Sequence, residues 1–369
     1  MKQVMGIVNL QESNATIRDL TATRAVESLP FAGRYRLLDF ALSSLVNSGI
    51  NSVGVMLPDF SRSVLDHIRS GKDWDLARRR DGLTWLPAAL PDGDSRKGDL
   101  KDLYANLDFV ELNDRKYVVL TTGSFVYNID FNDVFKFMED TEADITMVYH
   151  VAKRDRNAKN VVVQTSTNGI VTDLAETSTV KVGDKLAMSI YIMPVPTFAY
   201  IVRSTYERGG QDFTIDGIIR HASEHKISAY EHKGYIAHIN STAEYYKANR
   251  DMLNPEIWEQ IFMDKAHPIF TKVKDEVPVQ YKNTANVKNS LVANGCIIRG
   301  TVENSIIFRG VTVGKDAVVK DCILMQRCDV GEGARVENLI ADKNVIISKN
   351  RWLKGAENYP YIVAKNVRI

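Results

Sequence analysis

The most informative absence in this sequence is that of a long apolar run. A helix needs about 20 consecutive apolar residues to cross a bilayer, and no segment of the 369 residues approaches that length. The N-terminal MKQVMGIVNLQESN has a short apolar stretch broken by Asn9 and Gln11. It lacks the continuous apolar core and the small-residue cleavage site of a signal peptide. We therefore expect a cytoplasmic protein with no membrane partner.

Cysteine and excess charge are also scarce. The three cysteines, Cys296, Cys322 and Cys328, are odd in number and form no CxxC pair, which argues against a disulfide framework or a zinc site. The 47 Lys and Arg residues nearly balance 46 Asp and Glu residues, and the formal net charge is +1. This balance argues against a polyanion-binding surface over the whole molecule. The basic run at residues 78–80 has no interleaved aromatic residues, so we predict no nucleic-acid partner and no metal site.

What the sequence does contain is an alternation of strand-like and helix-like segments over residues 1–250. An apolar stripe predicts a helix over residues 34–47, which ends before Gly49. Apolar runs predict strands at residues 4–8, 53–57, 117–121, 145–151, 160–164 and 188–193. Uninterrupted apolar strands separated by helices indicate a mainly parallel sheet covered on both faces. We predict a Rossmann-like α/β domain. Residues 81–101, rich in Gly, Pro and charged residues, are predicted to form a long loop.

The apolar period changes towards the end of the chain. Apolar residues recur every six positions, with two one-residue breaks in phase, at Cys296, Val302, Ile307, Val313, Val319, Leu324, Val330 and Val336. A six-residue period with small turn residues is typical of a hexapeptide β-helix, whose coils stack their inward aliphatic side chains. Ordinary antiparallel strands are the alternative, but strict two-residue alternation is absent. We predict a left-handed parallel β-helix over residues 284–369, joined by a proline-marked linker at residues 251–283.

Three stretches of sequence resemble one known family. The segment PFAGRYRLLDFALSSLVNSGI, from Pro30, looks like the segment after the nucleotide loop of glucose-1-phosphate adenylyltransferases, the ADP-glucose pyrophosphorylases. HPIFTKVKDEVPVQY, at residues 267–281, is similar to their connector, and NSLVANGCIIRGTVENSIIFRGVTVG to the start of their β-helix. The matches follow the family's order nearly from end to end. The resemblance implies a nucleotidyltransferase domain followed by a β-helix.

The resemblance also implies a nucleotide loop, and the residues that the family uses there are replaced. The family's G-G-x-G-T-R-L cradles the phosphates with backbone N–H groups that only glycine leaves accessible, and its arginine binds the triphosphate. Here Gln11, Glu12 and Asn14 stand in place of the glycines, and Thr16 in place of the arginine. A glutamate beside phosphate adds like charge and weakens binding.

Other functional positions of the family are replaced as well. The phosphate-binding lysine of A-K-P is Val26, and the two magnesium-binding aspartates of G-D-H-I-Y and W-K-D-V-G-T are Ser124 and His238. The sugar-binding E-E-K-P becomes L-A-E-T, which puts Glu176 at the cationic position, and the glycine of S-M-G-I-Y is Ser189. Phosphoryl transfer depends on carboxylates that hold Mg²⁺. A single loss of this kind commonly costs ~10²–10³ in rate, so we predict that this chain has no catalytic residues.

Within the family, this pattern resembles the non-catalytic D-type subunit that some bacteria encode beside a catalytic subunit. The resemblance implies a heterotetramer with that catalytic subunit and control of ADP-glucose supply for glycogen biosynthesis. It further implies that no cofactor is bound productively by this chain and that Mg²⁺ is held by the catalytic partner.

Three arginines are candidates for binding an effector. Arg34 and Arg36, with Arg24 upstream, lie where related enzymes often hold cations near a sugar-phosphate effector site. One interpretation is a cationic pocket between the domains that senses phosphorylated metabolites. The other is that these arginines are surface residues or form structural ion pairs with residues such as Asp39.

Three other functions stay open at this point. One is a self-sufficient adenylyltransferase with compensating substitutions, and another is a stand-alone sugar-phosphate sensor. A hexapeptide acyltransferase is disfavoured, because those enzymes usually carry a catalytic histidine on the coil. The last histidine here, His267, precedes the coil.

Overall fold

A computed structural model of the chain describes residues 1–11, 17–89 and 98–369. Three positions singled out above, Glu12, Asn14 and Thr16, lie outside the described residues. No helix of the described part is long and apolar enough to cross a membrane.

The first domain alternates strands and helices. Its strands are β1 Val4–Asn9, β2 Pro30–Phe31, β3 Tyr35–Arg36, β4 Ser52–Met56, β5 Gly82–Leu86, β6 Tyr117–Thr122, β7 Phe125–Val126, β8 Ile145–Val151, β9 Arg156–Thr165, β10 Val171–Val180, β11 Lys185–Pro194, β12 Ile227–Glu231 and β13 Ala237–His238. Its helices are α1 Arg18–Thr21, α2 Leu38–Asn47, α3 Arg62–Ile68, α4 Leu100–Ala105, α5 Leu107–Glu111, α6 Phe131–Thr141, α7 Val195–Glu207, α8 Thr242–Asp251 and α9 Pro255–Phe262. Short 3₁₀ turns lie at Val26–Ser28 and Lys72–Trp74, and a π-helical segment at Phe213–Ile219.

The main sheet has a parallel half and an antiparallel half. Strands β5, β4, β1 and β6 run parallel in that order. Strand β11 then pairs antiparallel with β6 and β8, β12 pairs parallel with β8, and β9 and β10 form an outer hairpin. One face packs on α2, α3 and α6, and the other on α4, α5 and α7. The predicted α/β class, with a sheet covered on both faces, is confirmed.

Two predictions within this domain were wrong. The helix predicted over residues 34–47 begins at Leu38, because the Arg36 N–H donates to the Asp39 carboxylate at 2.9 Å and β3 pairs back with β2. Of the long loop predicted over residues 81–101, residues 90–97 lie outside the described residues, and the rest contains β5, which pairs in parallel with β4, and the first residues of α4. A five-residue strand between turn-forming residues gives too short a pattern to stand out.

The rest of the chain winds into a triangular parallel coil. Its strands are β14 Gln280–Tyr281, β15 Asn286–Lys288, β16 Leu291–Val292, β17 Ile297–Ile298, β18 Thr301–Glu303, β19 Ile306–Ile307, β20 Thr312–Val313, β21 Val318–Leu324, β22 Asp329–Val330, β23 Arg335–Ala341, β24 Ile346–Ile347, β25 Trp352–Lys354 and β26 Tyr361–Val363. Three parallel ladders form its sides. The residues of the six-residue series are fully buried between coils. The predicted left-handed β-helix is confirmed.

The two domains share a core at their junction. Apolar residues from the first domain, among them Phe31, Phe40 and Tyr245, pack against Phe308 and Ile323 of the coil. Helix α9 lies inside the segment predicted as a linker and continues this contact, since the Phe262 ring stacks on Tyr35 with ring centroids 4.6 Å apart. This packing fixes the coil against residues 24–36.

Candidate functional site

Two cavities involve the positions that the sequence singled out. The first, of about 700 Å³, lies where the parallel strands end, beside Asn9, Gln11, Thr122 and Ser189. Because parallel strands point their carboxyl ends to one edge of a sheet, this is the place where α/β proteins bind ligands. We refer to it as the cleft.

Polar side chains in the cleft form hydrogen bonds with neighbouring residues of the protein. Gln11 donates through Nε2 to the Leu57 carbonyl at 2.8 Å, and Asn9 donates through Nδ2 to the Asp99 carboxylate at 2.6 Å. The other oxygen of Asp99 accepts from the Phe213 N–H at 2.9 Å. Burial, with the charge of Asp212 adding to it, raises the pKa of Asp99. Carboxylates line this part of the cleft, which opposes a phosphate chain there.

Ser189, where the resemblance implies a glycine, has a backbone conformation that suits glycine. Its φ is +53°, in the left-handed region that L-residues rarely adopt. The residue lies at the register shift of β11 between its two pairings with β8.

The two positions at which the resemblance implies magnesium ligands lie next to each other. Strand β13 pairs with β7, and the Ile239 N–H donates to the Ser124 carbonyl at 2.9 Å, so Ser124 and His238 are neighbours. The His238 ring stacks on Phe125 with centroids 4.0 Å apart. Ser124 lies 3.1 Å from the Thr122 hydroxyl. Neither side chain supplies the carboxylate that Mg²⁺ prefers, and no group of three His, Cys, Asp or Glu side chains in the described part of the chain is arranged to hold a metal.

Val26 and Glu176 do not line the cleft. Val26 is buried in the core at the domain junction. Glu176 is exposed on the outer hairpin, where its carboxylate lies 3.8 Å from the Lys159 ammonium. Of the replaced positions inside the described residues, the structure brings Gln11 and Ser189 to the cleft. Ser124 and His238 do not line it, although Ser124 contacts Thr122, which does.

The second cavity lies between the domains and has a volume of about 370 Å³. Its walls come from the β2–β3 turn at residues 32–34, the connector at residues 273–276, and the coil at residues 291–294 and Arg309. Arg34, Lys274 and Arg309 line it, with Asp275 and Glu276 on the connector side. We call it the junction pocket.

The cations at and behind the junction pocket repel one another. Burial, with the charges of Arg36 and Arg24 adding to it, lowers the pKa of Lys343 to about 7. Burial also lowers the pKa of Arg36 to about 10. The pKa of Lys274 is lowered by burial and by Arg309. A group of positive charges held this close together is stabilised by a bound anion.

The three arginines predicted as effector ligands have different surroundings. Arg34 is exposed and lines the junction pocket. Arg36 lies behind it and donates through Nη1 to the Ser63 carbonyl at 2.6 Å. Arg24 is buried and forms an ion pair with Asp342 of the coil at 2.8 Å. An effector role for any of them stays a prediction.

Sequence reasoning missed Lys274, Arg309 and Lys343. They lie more than 200 positions from Arg34 along the chain. Lys274 stands in the linker, which was interpreted from its prolines, and Arg309 and Lys343 stand in the coil, which was interpreted from its apolar period. Only the docking of the coil on the first domain brings them together.

Comparisons with known proteins agree with this architecture. Residues 15–258 match the family described as "Nucleotidyl transferase", and residues 275–354 match "GlmU-like, C-terminal hexapeptide". The chain is 34% identical over 366 residues to the "Glycogen biosynthesis protein GlgD" of Bacillus subtilis, which covers 99% of this chain and 96% of that protein.

The chain belongs to the glucose-1-phosphate adenylyltransferase family and is of the GlgD type. A second GlgD protein, from Geobacillus stearothermophilus, is 36% identical over 98% of this chain and 96% of its own length. A "Glucose-1-phosphate adenylyltransferase" of Mycoplasma mobile is 29% identical over 87% of this chain and 85% of its own length. These matches confirm the resemblance to glucose-1-phosphate adenylyltransferases, and to their D-type subunit, that was inferred from the sequence.

Proposed function

We propose that this chain is a regulatory, catalytically deficient subunit of ADP-glucose pyrophosphorylase, which makes ADP-glucose and diphosphate from ATP and glucose 1-phosphate. It supports a catalytic partner subunit in glycogen biosynthesis, in a heterotetramer whose Mg²⁺ is held by the catalytic subunit. The observation that carries the proposal is the pair Ser124 and His238, neutral side chains at the two family positions that hold the metal. Without carboxylates there, the charge of the transferred phosphoryl group is not neutralised.

The first experiment compares this chain alone, the catalytic subunit alone, and the co-expressed pair in an assay of ADP-glucose formation with Mg²⁺. The chain alone is expected to give no turnover above background, and the pair to differ from the catalytic subunit in kcat, in KM or in effector response. Robust turnover by the chain alone would make it a self-sufficient enzyme. A pair that neither associates nor changes the kinetics would leave a stand-alone sensor.

The junction pocket is the proposed effector site. It combines Arg34, Lys274 and Arg309 around one cavity, a set of cations suited to a phosphorylated metabolite. Replacing Arg34 by Ala is expected to weaken the effector response of the assembled complex without unfolding this subunit, because Arg34 is exposed. An unchanged effector titration of the variant complex, with Arg335→Ala on the outer coil as the charge-matched control, would remove the pocket from the proposal.

A further inference from the structure

The corners of the coil need a special backbone conformation. At one corner, successive coils place Gly295, Gly310, Arg327 and Asn344 above one another, with φ values of +78°, +69°, +60° and +60°. Hydrogen bonds join these turns, from the Gly310 N–H to the Asn294 carbonyl and from the Arg327 N–H to the Arg309 carbonyl. Glycine and asparagine are the residues that adopt this conformation at least cost.

An arginine at this corner is therefore energetically unfavourable, because its backbone is in the left-handed region. A long side chain gains nothing from a left-handed backbone, and the coils on either side use glycine and asparagine at the same corner. Residues held in such conformations cluster at ligand sites, where the strain is compensated by function. Within the described part of the chain, Arg327 makes no ion pair that would explain its retention.

The stem of the Arg327 side chain lies against the preceding coil, beside the residues that line the junction pocket. A Cβ placed on Gly310 would lie 3.4 Å from Arg327 Cγ, so the aliphatic stem of the arginine crosses the bare backbone of the preceding coil. That coil carries Arg309, which lines the pocket. The charge of Arg327 is close enough to lower the pKa of Lys274, which also lines the pocket. Adjacent parallel strands are about 4.8 Å apart, and the Arg327 N–H donates to the Arg309 carbonyl at 3.0 Å, so the two arginines lie on neighbouring coils, offset by one residue.

We propose that Arg327 is a ligand-binding residue of the junction pocket, held in a strained turn so that its guanidinium extends the cationic wall of Arg309 towards an anionic ligand. The inference rests on the proposed effector site and adds one residue to it. It also implies that the strained turn at Arg327 lowers the stability of the fold while the guanidinium raises the affinity for the anion. The glycine before it in the corner, Gly310, leaves the space that the arginine stem crosses.

This opposition can be tested, because replacing Arg327 should raise the Tm and lower the affinity for an anion. In the full-length chain, Arg327→Asn and Arg327→Gly relieve the backbone and are expected to raise Tm by about 2 °C. The same variants are expected to weaken the binding of inorganic pyrophosphate, measured by calorimetry, about tenfold. Arg327→Lys keeps both the charge and the strain, so most of the affinity and the wild-type Tm are expected to remain.

Two controls separate the outcomes. Arg335→Gln removes the same charge from a strand that does not line the pocket, and its affinity should equal that of the wild type. If Arg327→Asn binds pyrophosphate as the wild type does, or unfolds at a lower temperature, the role of Arg327 is refuted. If Arg34→Ala and Arg309→Ala also leave binding unchanged, or the wild type does not bind, the pocket itself is not an anion site and the proposed function loses its effector.

Discussion

Ser189 has a left-handed backbone conformation, which leads to a prediction about stability. Replacing Ser189 by Gly should raise the free energy of unfolding by roughly 0.5 kcal/mol. A left-handed L-residue costs about 1–2 kcal/mol, which exceeds the about 0.5–1 kcal/mol of extra chain entropy that glycine loses. Urea unfolding measures the change. Ser189→Ala is the control, because it keeps the Cβ and should bring no gain; an equal gain in both variants would contradict the explanation.

A second prediction at the residue scale concerns the pH dependence of anion binding. The pKa of Lys343, about 7, is below its ordinary 10.5. The unfolded chain therefore holds this proton more tightly between those values, and fold stability rises with pH across that window. Anion binding has the opposite sign, because it needs the ammonium form.

Sulfate is a suitable probe, since its charge does not change in this range. Its affinity is expected to fall about tenfold as the pH rises from about 6 to about 8.5. Calorimetry at several pH values measures this. In Lys343→Gln the affinity should be low and nearly flat over the same range, and a variant that keeps the wild-type profile would assign the titration to another group.

At this scale the sequence predicted which residues were replaced but not what surrounds them. Gln11 and Ser189 were identified from a family pattern, and both line the cleft. Arg24 shows the limit. Whether an arginine is a free cation or half of an ion pair depends on Asp342, more than 300 positions away, and no local pattern reports a contact of that range.

At the scale of elements, periodicity was a good guide where it was long and a poor one where it was short. The six-residue series spans many coils, and each buried position supports the next, so the β-helix followed from the sequence. Strand β5 was missed because it is decided by its pairing with β4, a contact that no local pattern reports. The start of α2 was missed because the apolar stripe does not show the hydrogen bond from the Arg36 N–H to the Asp39 carboxylate.

The glycines between coils give a prediction for the coil as an element. A Cβ placed on Gly314 would lie 2.6 Å from the Glu332 nitrogen of the next coil, and one on Gly331 would lie 2.6 Å from the Lys349 nitrogen. Gly314→Ala must push two coils apart and is expected to lower the free energy of unfolding by about 1–3 kcal/mol. Ser348 follows Gly331 in this column and already carries a Cβ. Ser348→Ala should therefore change stability little, and a similar loss in both variants would show that coil spacing is not the cause.

At the scale of the whole molecule, the junction between the domains creates both the shared core and the junction pocket. The β2–β3 turn, the connector and the coil each provide part of its wall, so neither domain has this site by itself. A ligand that contacts all three segments would couple the orientation of the coil to that of the first domain. This geometry is consistent with a regulatory role in which binding acts on domain packing.

The buried ion pair between Arg24 and Asp342 gives the last prediction. Its side chains are only 6% and 7% exposed, and it joins the first domain to the coil. Removing one partner leaves a buried charge unpaired, so Arg24→Met and Asp342→Leu should each lower the free energy of unfolding by about 3–5 kcal/mol. The double variant should recover much of this loss, since no unpaired charge remains. Thermal unfolding of the four proteins measures the coupling energy. If the two losses simply add, the pair contributes nothing jointly, and Arg24 would then be a pocket cation whose proximity to Asp342 has no structural consequence.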